Sequence, residues 1–186
     1  IRQYAWEKLR EAGEADEIRG RHLAWYLAYA ERVEPAISDA RQAIWLDRLD
    51  FDLDNLRGAL DWALETDVVS GLRIATAIHE YWFARCLYSE GRRWLRPLLA
   101  RAPAAPEIRV RALRTAAWLA HDQGDVDEAK TLAEELLSLS RQIDDRQLAA
   151  AALVILGDSA YLRGDILRAV GFLEERVALS REITAL

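Results

Sequence analysis

The chain has 186 residues, 52% of them hydrophobic, which is enough to bury a sizeable core as one domain or one continuous array. Its formal net charge of -6 argues against a nucleic-acid surface, because phosphate binding needs a basic stripe. The single cysteine, Cys86, cannot form an internal disulfide, and the longest apolar run, residues 148–156, is too short to span a membrane. We therefore expect a cytoplasmic protein that contacts neither membrane nor DNA through this segment.

Helical periodicity runs through the chain and no stretch of strict alternation predicts a strand, so the predicted fold class is all-α. In the first half, one helix ends at Gly13, which can adopt a left-handed helix end, and a second stops at Pro35. A third begins at a cap formed by Ser38 or Asp39, can break near Asp50 and continues to residue 64.

The remaining helices are predicted at residues 70–85, 89–101 with an interruption at Pro97, 107–122, 126–143, 146–162 and 166–183. Residues 102–106 form a connector, because two prolines in so short a stretch cannot lie in a helix interior. The predicted organisation is residues 1–15 as the last helix of a preceding part, 16–101 as degenerate helical repeats, 102–106 as the connector and 107–186 as two repeats of about 40 residues.

The two repeats are near copies, and the offset between them, from Gly124 to Gly164, is about 40 residues. We call this offset the repeat period. A fixed period of this size is typical of stacked helical hairpins, which more often bind partners than catalyse reactions. Small residues let the two helices of a hairpin approach each other, and glycine makes the turn. The repeated positions are Gly124 and Gly164, Asp125 and Asp165, Ala129 and Ala169, preceded by Ala117 and Ala120 in one copy and by Gly157 and Ala160 in the other.

This order of small residues, Gly-Asp and Ala resembles the tetratricopeptide repeat, with longer helices than its usual length of about 34 residues allows. The resemblance implies an α-solenoid of antiparallel hairpins. A third, degenerate hairpin fits residues 72–101, with Trp82 at the aromatic position, Cys86 where Gly belongs and Gly91 where Ala belongs. His79 stands where a small residue is expected in that hairpin.

Motifs in the first half of the chain resemble the helical region of large bacterial signalling ATPases of the STAND class, which include LuxR-type transcriptional regulators. The most specific part is Asp54-Asn55-Leu56-Arg57 with the following Trp62. The resemblance implies a sensor or protein-interaction segment, with ATPase and DNA-binding parts elsewhere in the protein. The segments that carry it are residues 4–9 (Tyr-Ala-Trp-Glu-Lys-Leu), 45–49 (Trp-Leu-Asp-Arg-Leu), 54–64 (Asp-Asn-Leu-Arg-Gly-Ala-Leu-Asp-Trp-Ala-Leu) and 89–95 (Ser-Glu-Gly-Arg-Arg-Trp-Leu).

Enzymatic and metal-binding interpretations have little support. Neither Lys8 nor Lys130 follows a Gly-rich turn, so the segment has no phosphate-binding loop, and its serines have no local base. The aspartates at 50, 52, 54 and 61 have calcium-loop spacing but lack the required glycine, and the three histidines match no zinc motif. We expect no catalytic residue, metal or cofactor in this segment.

A partner-binding groove is the one site that the sequence predicts residue by residue. In stacked hairpins the first helices line one side, and their non-core positions point toward a partner. Arg with Trp and Tyr is a composition enriched at binding hot spots, although an ordinary solvated face has a similar mixture. The predicted groove residues are Arg73, Thr76, Glu80, Phe83, Arg111, Arg114, Trp118, His121, Asp122, Val154, Asp158 and Tyr161.

The sequence thus predicts the sensor or interaction segment of a bacterial transcriptional regulator whose partner is a protein or peptide. Two alternatives remain open: a plain repeat scaffold without a regulatory role, and a receptor whose small-molecule inducer fills the groove.

Overall fold

The computed structural model describes residues 8–9, 11–37, 42–101 and 105–184. Every regular element within these ranges is a helix, which confirms the all-α prediction. In chain order the helices are α1 (Ala15–Val33), α2 (Gln42–Thr66), α3 (Val68–Ala77), α4 (His79–Ala84), α5 (Tyr88–Arg101), α6 (Pro106–Asp122), α7 (Val126–Gln142), α8 (Arg146–Leu162) and α9 (Ile166–Thr184). None of these helices is long and apolar enough to cross a lipid bilayer.

The helix ends agree with the sequence at most positions and differ at three. Gly13 has a φ of 71°, as predicted for a helix end. The break near Asp50 is wrong, because α2 is continuous there and the Asp50 carboxylate accepts a hydrogen bond of 2.8 Å from the Tyr81 hydroxyl. The helix predicted at 70–85 is divided at Ile78 into α3 and α4, whereas Pro97 lies inside α5 without ending it. The predicted Ser38 or Asp39 cap and residues 102–104 of the connector lie outside the described residues.

Two compact units make up the chain, residues 1–81 and 82–186. In the first unit α1, α2 and α3 pack against one another. The Tyr26 hydroxyl donates to Asp52 at 3.0 Å and Asn55 donates to the same carboxylate oxygen at 3.3 Å. Burial, together with this hydrogen bond to Asp52, raises the pKa of Tyr26 to about 12. Because Asn55 holds this pair and Leu56 is fully buried, part of the Asp-Asn-Leu-Arg motif serves the core of the unit.

In the second unit each helix from α5 to α9 packs against the next, and α6 also contacts α8. Helices α6, α7 and α8 have 17 residues each and are joined by short turns, so successive helices run antiparallel. The small residues predicted to permit close packing are buried: Ala117, Ala120, Ala129, Gly157, Ala160 and Ala169. The unit is therefore a run of helical hairpins with the repeat period seen in the sequence.

One turn geometry recurs between the helices of the second unit. Gly124, Asp144 and Gly164 have φ values of 80°, 55° and 80°. The backbone N–H of the residue that follows each of them donates to the carbonyl of Ala120, Ser140 or Ala160 at the end of the preceding helix, at 2.9 Å in all three turns. The side chain of that following residue, always an aspartate, accepts a hydrogen bond from a backbone N–H in the first turn of the next helix. The turns therefore recur at half the repeat period visible in the sequence.

The α4–α5 turn also contains a left-handed residue. Cys86 has a φ of 53°, and the backbone N–H of Leu87 donates to the Trp82 carbonyl at 2.8 Å. The sequence placed Cys86 where the other hairpins have glycine, and its backbone adopts the glycine-like conformation. A Cβ on Gly91 would lie only 3.1 Å from the Trp82 ring, so the small residue predicted at that position meets a close helix contact.

An arginine at the start of the second unit ties α5 to the α6–α7 turn. The guanidinium of Arg92, whose side chain is 13% exposed, pairs with Asp125 and Glu128. Arg96 adds a hydrogen bond of 2.8 Å to Glu128. The hydrogen bond from Arg92 is the main cause that lowers the pKa of Asp125 below its ordinary value of 3.8. This cluster joins the cap of α7 to the preceding helix by charge-assisted hydrogen bonds.

We expect Asp144→Gly to raise the free energy of unfolding by up to about 1 kcal/mol and Gly164→Ala to lower it by about 1–2 kcal/mol. The reason is that both positions are left-handed, a conformation that a Cβ destabilises and glycine tolerates. Urea unfolding followed by circular dichroism measures both changes. Gly171→Ala, in α9 with nothing within 4 Å of the added Cβ, is the matched control and should be neutral or stabilising. A lower free energy of unfolding for Asp144→Gly, together with no loss for Gly164→Ala, would contradict the turn geometry.

The Asp125 carboxylate should make stability depend on acidity. Because its pKa in the folded state is lowered, its contribution is complete above its ordinary pKa and is lost as the pH falls through the folded value. We expect the melting temperature of the wild type to fall more steeply than that of Asp125→Asn between about pH 5 and pH 3. The effect should be small because the Asp125 side chain is 40% exposed.

Asp165→Asn is the control for this measurement, since Asp165 caps α9 in the same way and receives no described side-chain donor. Equal pH slopes for the Asp125 and Asp165 variants would show that Arg92 does not set the acid sensitivity.

Candidate partner-binding surface

Eight of the predicted groove residues lie on α6 and α8, the first helices of two successive hairpins. We call them the α6–α8 surface: Arg111, Arg114, Trp118, His121, Asp122, Val154, Asp158 and Tyr161. A shift of one repeat period relates Arg114 to Val154, Trp118 to Asp158 and His121 to Tyr161. The same positions of the repeat therefore carry different chemistry in the two hairpins.

His121 joins the two helices of this surface. Its Nε2 lies 3.3 Å from an Asp158 carboxylate oxygen and its Nδ1 lies 2.9 Å from an oxygen of Asp122. The Trp118 ring meets the imidazole edge-on, with 5.3 Å between the ring centroids. When protonated, the imidazole donates to both carboxylates, and when neutral to one of them. Trp118, His121, Asp122 and Asp158 thus form one polar-aromatic cluster across α6 and α8.

The exposure of these residues decides which of them a partner can reach. Tyr161 is 65% exposed at the end of α8, and Arg111 and Asp122 are also exposed. Trp118 and Arg114 are half-buried, so each presents only part of its side chain to solvent. Neither is enclosed within its own hairpin, and an aromatic ring and a planar cation therefore form part of the accessible surface.

Residues of the α4–α5 turn add a second aromatic group to the unit. Phe83, also predicted for the groove, is half-buried and lies 5.9 Å from the Tyr88 ring, centroid to centroid. The pKa of Tyr88 is raised, mainly by its hydrogen bond to the Cys86 thiol and to a lesser extent by the charge of Asp122.

The three predicted residues of the first unit are engaged locally. Arg73 donates to Glu31 at 2.8 Å, and Glu80 lies 3.2 Å from the imidazole of His79. Thr76 is buried and its hydroxyl donates to the Leu72 carbonyl at 2.8 Å, so it is not presented to a partner. These side chains serve the packing of their own unit.

A cavity of about 180 Å³ lies elsewhere in the second unit, between α7, α8 and α9. Its lining combines apolar side chains with three cations from three different elements. The lining residues are Leu156, Ala160 and Phe172, the cations Lys130, Arg163 and Arg168, and Asp165. Two of the cations have carboxylate neighbours: Arg163 pairs with Asp127, and Lys130 lies 3.6 Å from Glu134.

The three positions that carry cations in this cavity carry two glutamates and a glutamine one repeat period earlier. One repeat period before the three cations the chain has Glu90, Gln123 and Glu128, and there Glu128 is neutralised by arginines from α5. In the cavity the Arg168 guanidinium has no described carboxylate partner and lies 5.7 Å from the Phe172 ring.

Metal ligation is not provided for in the described residues, where no group of three or more His, Cys, Asp or Glu side chains is placed to hold an ion. The aspartates with calcium-loop spacing lie on continuous helix α2, and two of them, Asp50 and Asp52, accept hydrogen bonds from tyrosine hydroxyls.

Comparison with known proteins gives relatives but no family model that matches the chain. Relatives in Mycobacterium bovis and in two strains of Mycobacterium tuberculosis carry the name "Putative HTH-type transcriptional regulator". Each is 29% identical to this chain over 194 aligned residues, which cover 98% of the chain and 21% of the relative. The chain thus spans about a fifth of the length of the curated relatives it matches.

Proposed function

We propose that this chain is the sensor segment of a bacterial transcriptional regulator and that the α6–α8 surface binds a protein or peptide partner. The observation that carries the proposal is the match of nearly the whole chain to one part of much longer proteins named as HTH-type regulators. The segment is acidic, with a net charge of -6, so recognition of DNA belongs to another part of such a protein. Its place of action is the cytoplasm.

The finer assignment is to regulators of the STAND ATPase type with a tetratricopeptide-like array. It is supported by the Asp-Asn-Leu-Arg motif and by hairpins that recur with the same repeat period in sequence and structure. In such a regulator a partner that prefers one arrangement of the array shifts its population, and this shift is passed to the ATPase part. The array itself performs no chemistry in this proposal.

The test uses the full-length protein that contains this chain. Deletion of the gene should abolish a transcriptional response, and Tyr161→Ala and Trp118→Ala should abolish the same response. Truncation of an aromatic anchor typically costs about 2 kcal/mol of binding free energy, which is roughly 30-fold in affinity. Transcript levels in strains with each variant are the readout. Tyr161→Ala is the cleaner variant because the side chain is 65% exposed and its loss should leave the melting temperature unchanged.

Phe51→Ala is the matched control, since Phe51 is an aromatic residue on α2 that is 88% exposed and lies outside the surface. An identical transcriptional response for the wild type, the two surface variants and the control would reject the α6–α8 surface. A gene deletion without any change in transcripts would reject the regulatory role and favour a plain scaffold.

A second candidate function, receptor for a small-molecule inducer, is favoured by the cavity between α7, α8 and α9. Arg168, the cation of this lining without a described carboxylate partner, and the apolar side chains beside it fit a short-chain carboxylate better than a neutral ligand. We expect straight-chain carboxylates from butyrate to octanoate to raise the melting temperature of this chain, and the alcohols of equal length to have no effect.

Arg168→Gln should remove the stabilisation by carboxylates, whereas Arg176→Gln, an exposed arginine of α9 outside the cavity, should retain it. Equal shifts with carboxylates and alcohols, or an unchanged shift in Arg168→Gln, would reject an anion site in this cavity.

A further inference from the structure

Helix α9 exposes an apolar face that the other long helices of the second unit bury. Ala169 is its one buried residue. The large apolar side chains on it are exposed by 41–88%: Ile166 51%, Leu167 88%, Val170 46%, Leu173 41% and Val177 46%. More than half of the strongly exposed large apolar residues of the described chain lie between Tyr161 and Val177.

The preceding repeat shows what such a face contacts. Helix α7 packs against both α6 and α8, whereas α9 packs extensively only against α8. One repeat period before Leu173 and Val177, the α7 residues Ala133 and Leu137 are 0% and 7% exposed. Ser140, which corresponds to the exposed Ser180, is fully buried. Positions that are buried on α7, which has two neighbouring helices, are therefore exposed on α9, which has one among the described residues.

We propose that this face of α9 docks the first helix of a further hairpin, supplied by the polypeptide C-terminal to residue 186. The proposal is independent of the partner of the α6–α8 surface. Helix α9 runs to Thr184, beyond the position that corresponds to the last residue of α7, Gln142, so the docking helix is expected only later in the polypeptide. The relatives are about five times as long as the aligned segment, so most of their residues lie outside it.

The chemistry of the docking helix follows from α8, the helix that covers α7. Helix α8 is apolar on most sides and buries mainly small and aliphatic residues, among them Ala149, Ala152, Leu153 and Leu156. A helix with the same mixture of alanine and leucine would cover Leu173 and Val177 without large gaps.

Charge on the second helix of the docked hairpin is also specified. In the described unit Arg141 of α7 pairs with Glu175 of α9, and these two helices are the second helices of successive hairpins. Arg181 lies one repeat period after Arg141 and is exposed. If this ion pair repeats, the second helix of the docked hairpin carries an acidic partner for Arg181 at the position one repeat period after Glu175.

The test compares the chain of 186 residues with the natural polypeptide continued by one further repeat period, about 40 residues. Val177→Asp should leave the melting temperature of the shorter chain unchanged or raise it, because the residue is exposed there. It should lower the melting temperature of the longer chain by at least about 5 °C, because a carboxylate would then be buried without a partner. The matched control, Leu137→Asp, should destabilise both chains, since Leu137 is already buried.

A second measurement does not depend on the stability of the longer chain. In a Cys86→Ser background, the variant Val177→Cys should react rapidly with a maleimide in the shorter chain and slowly in the longer one. Equal labelling and equal melting shifts in both chains would overturn the proposal. The proposal would also be overturned if the shorter chain sedimented as a dimer and Val177→Asp dissociated that dimer. A second copy of the chain would then cover this face.

Discussion

The second unit depends on one backbone constraint, a left-handed residue followed by a capping aspartate at the ends of α6, α7 and α8. The positive φ of Gly124, Asp144 and Gly164 reverses the chain within a short turn, and the aspartate that follows begins the next helix by accepting a backbone N–H. Because helices α6, α7 and α8 have the same length of 17 residues, each presents the same faces to its neighbours. Packing of every later helix is fixed by this step of half a repeat period.

Side chains away from the packed faces can vary because the backbone is so regular. Position 118 holds tryptophan and position 158 aspartate, yet both belong to one surface because the backbone repeats there. In the same way Glu128 and Arg168 occupy equivalent positions with opposite charge, and one site forms an ion cluster whereas the other forms a cavity rimmed by cations. An array of this kind keeps its shape while its binding chemistry varies from repeat to repeat.

The first unit is held together by other means. Asp67 alone joins its helices α2 and α3, without a left-handed residue, and polar contacts between helices, such as Tyr26 to Asp52 and Arg73 to Glu31, supplement its apolar core. A buried tyrosine hydroxyl needs a hydrogen-bond partner, and Asn55 keeps the accepting carboxylate in place. The motif with the strongest family resemblance therefore has a packing role, whereas the residues proposed to contact a partner lie in the other unit.

The sequence by itself determined the all-α class, the repeat period, the turns at Gly124 and Gly164 and the burial of Ala129 and Ala169, because all of these follow from local periodicity and glycine conformation. It placed the end of one helix and the start of the next on either side of residues 144–145, but not the left-handed conformation of Asp144, since aspartate at that position carries no glycine signal. It also allowed a break near Asp50, where α2 is continuous. Which groove residues meet a partner-accessible surface was decided only by tertiary structure: His121 reaches Asp158 because α6 packs against α8, and Thr76 is buried in the packed first unit.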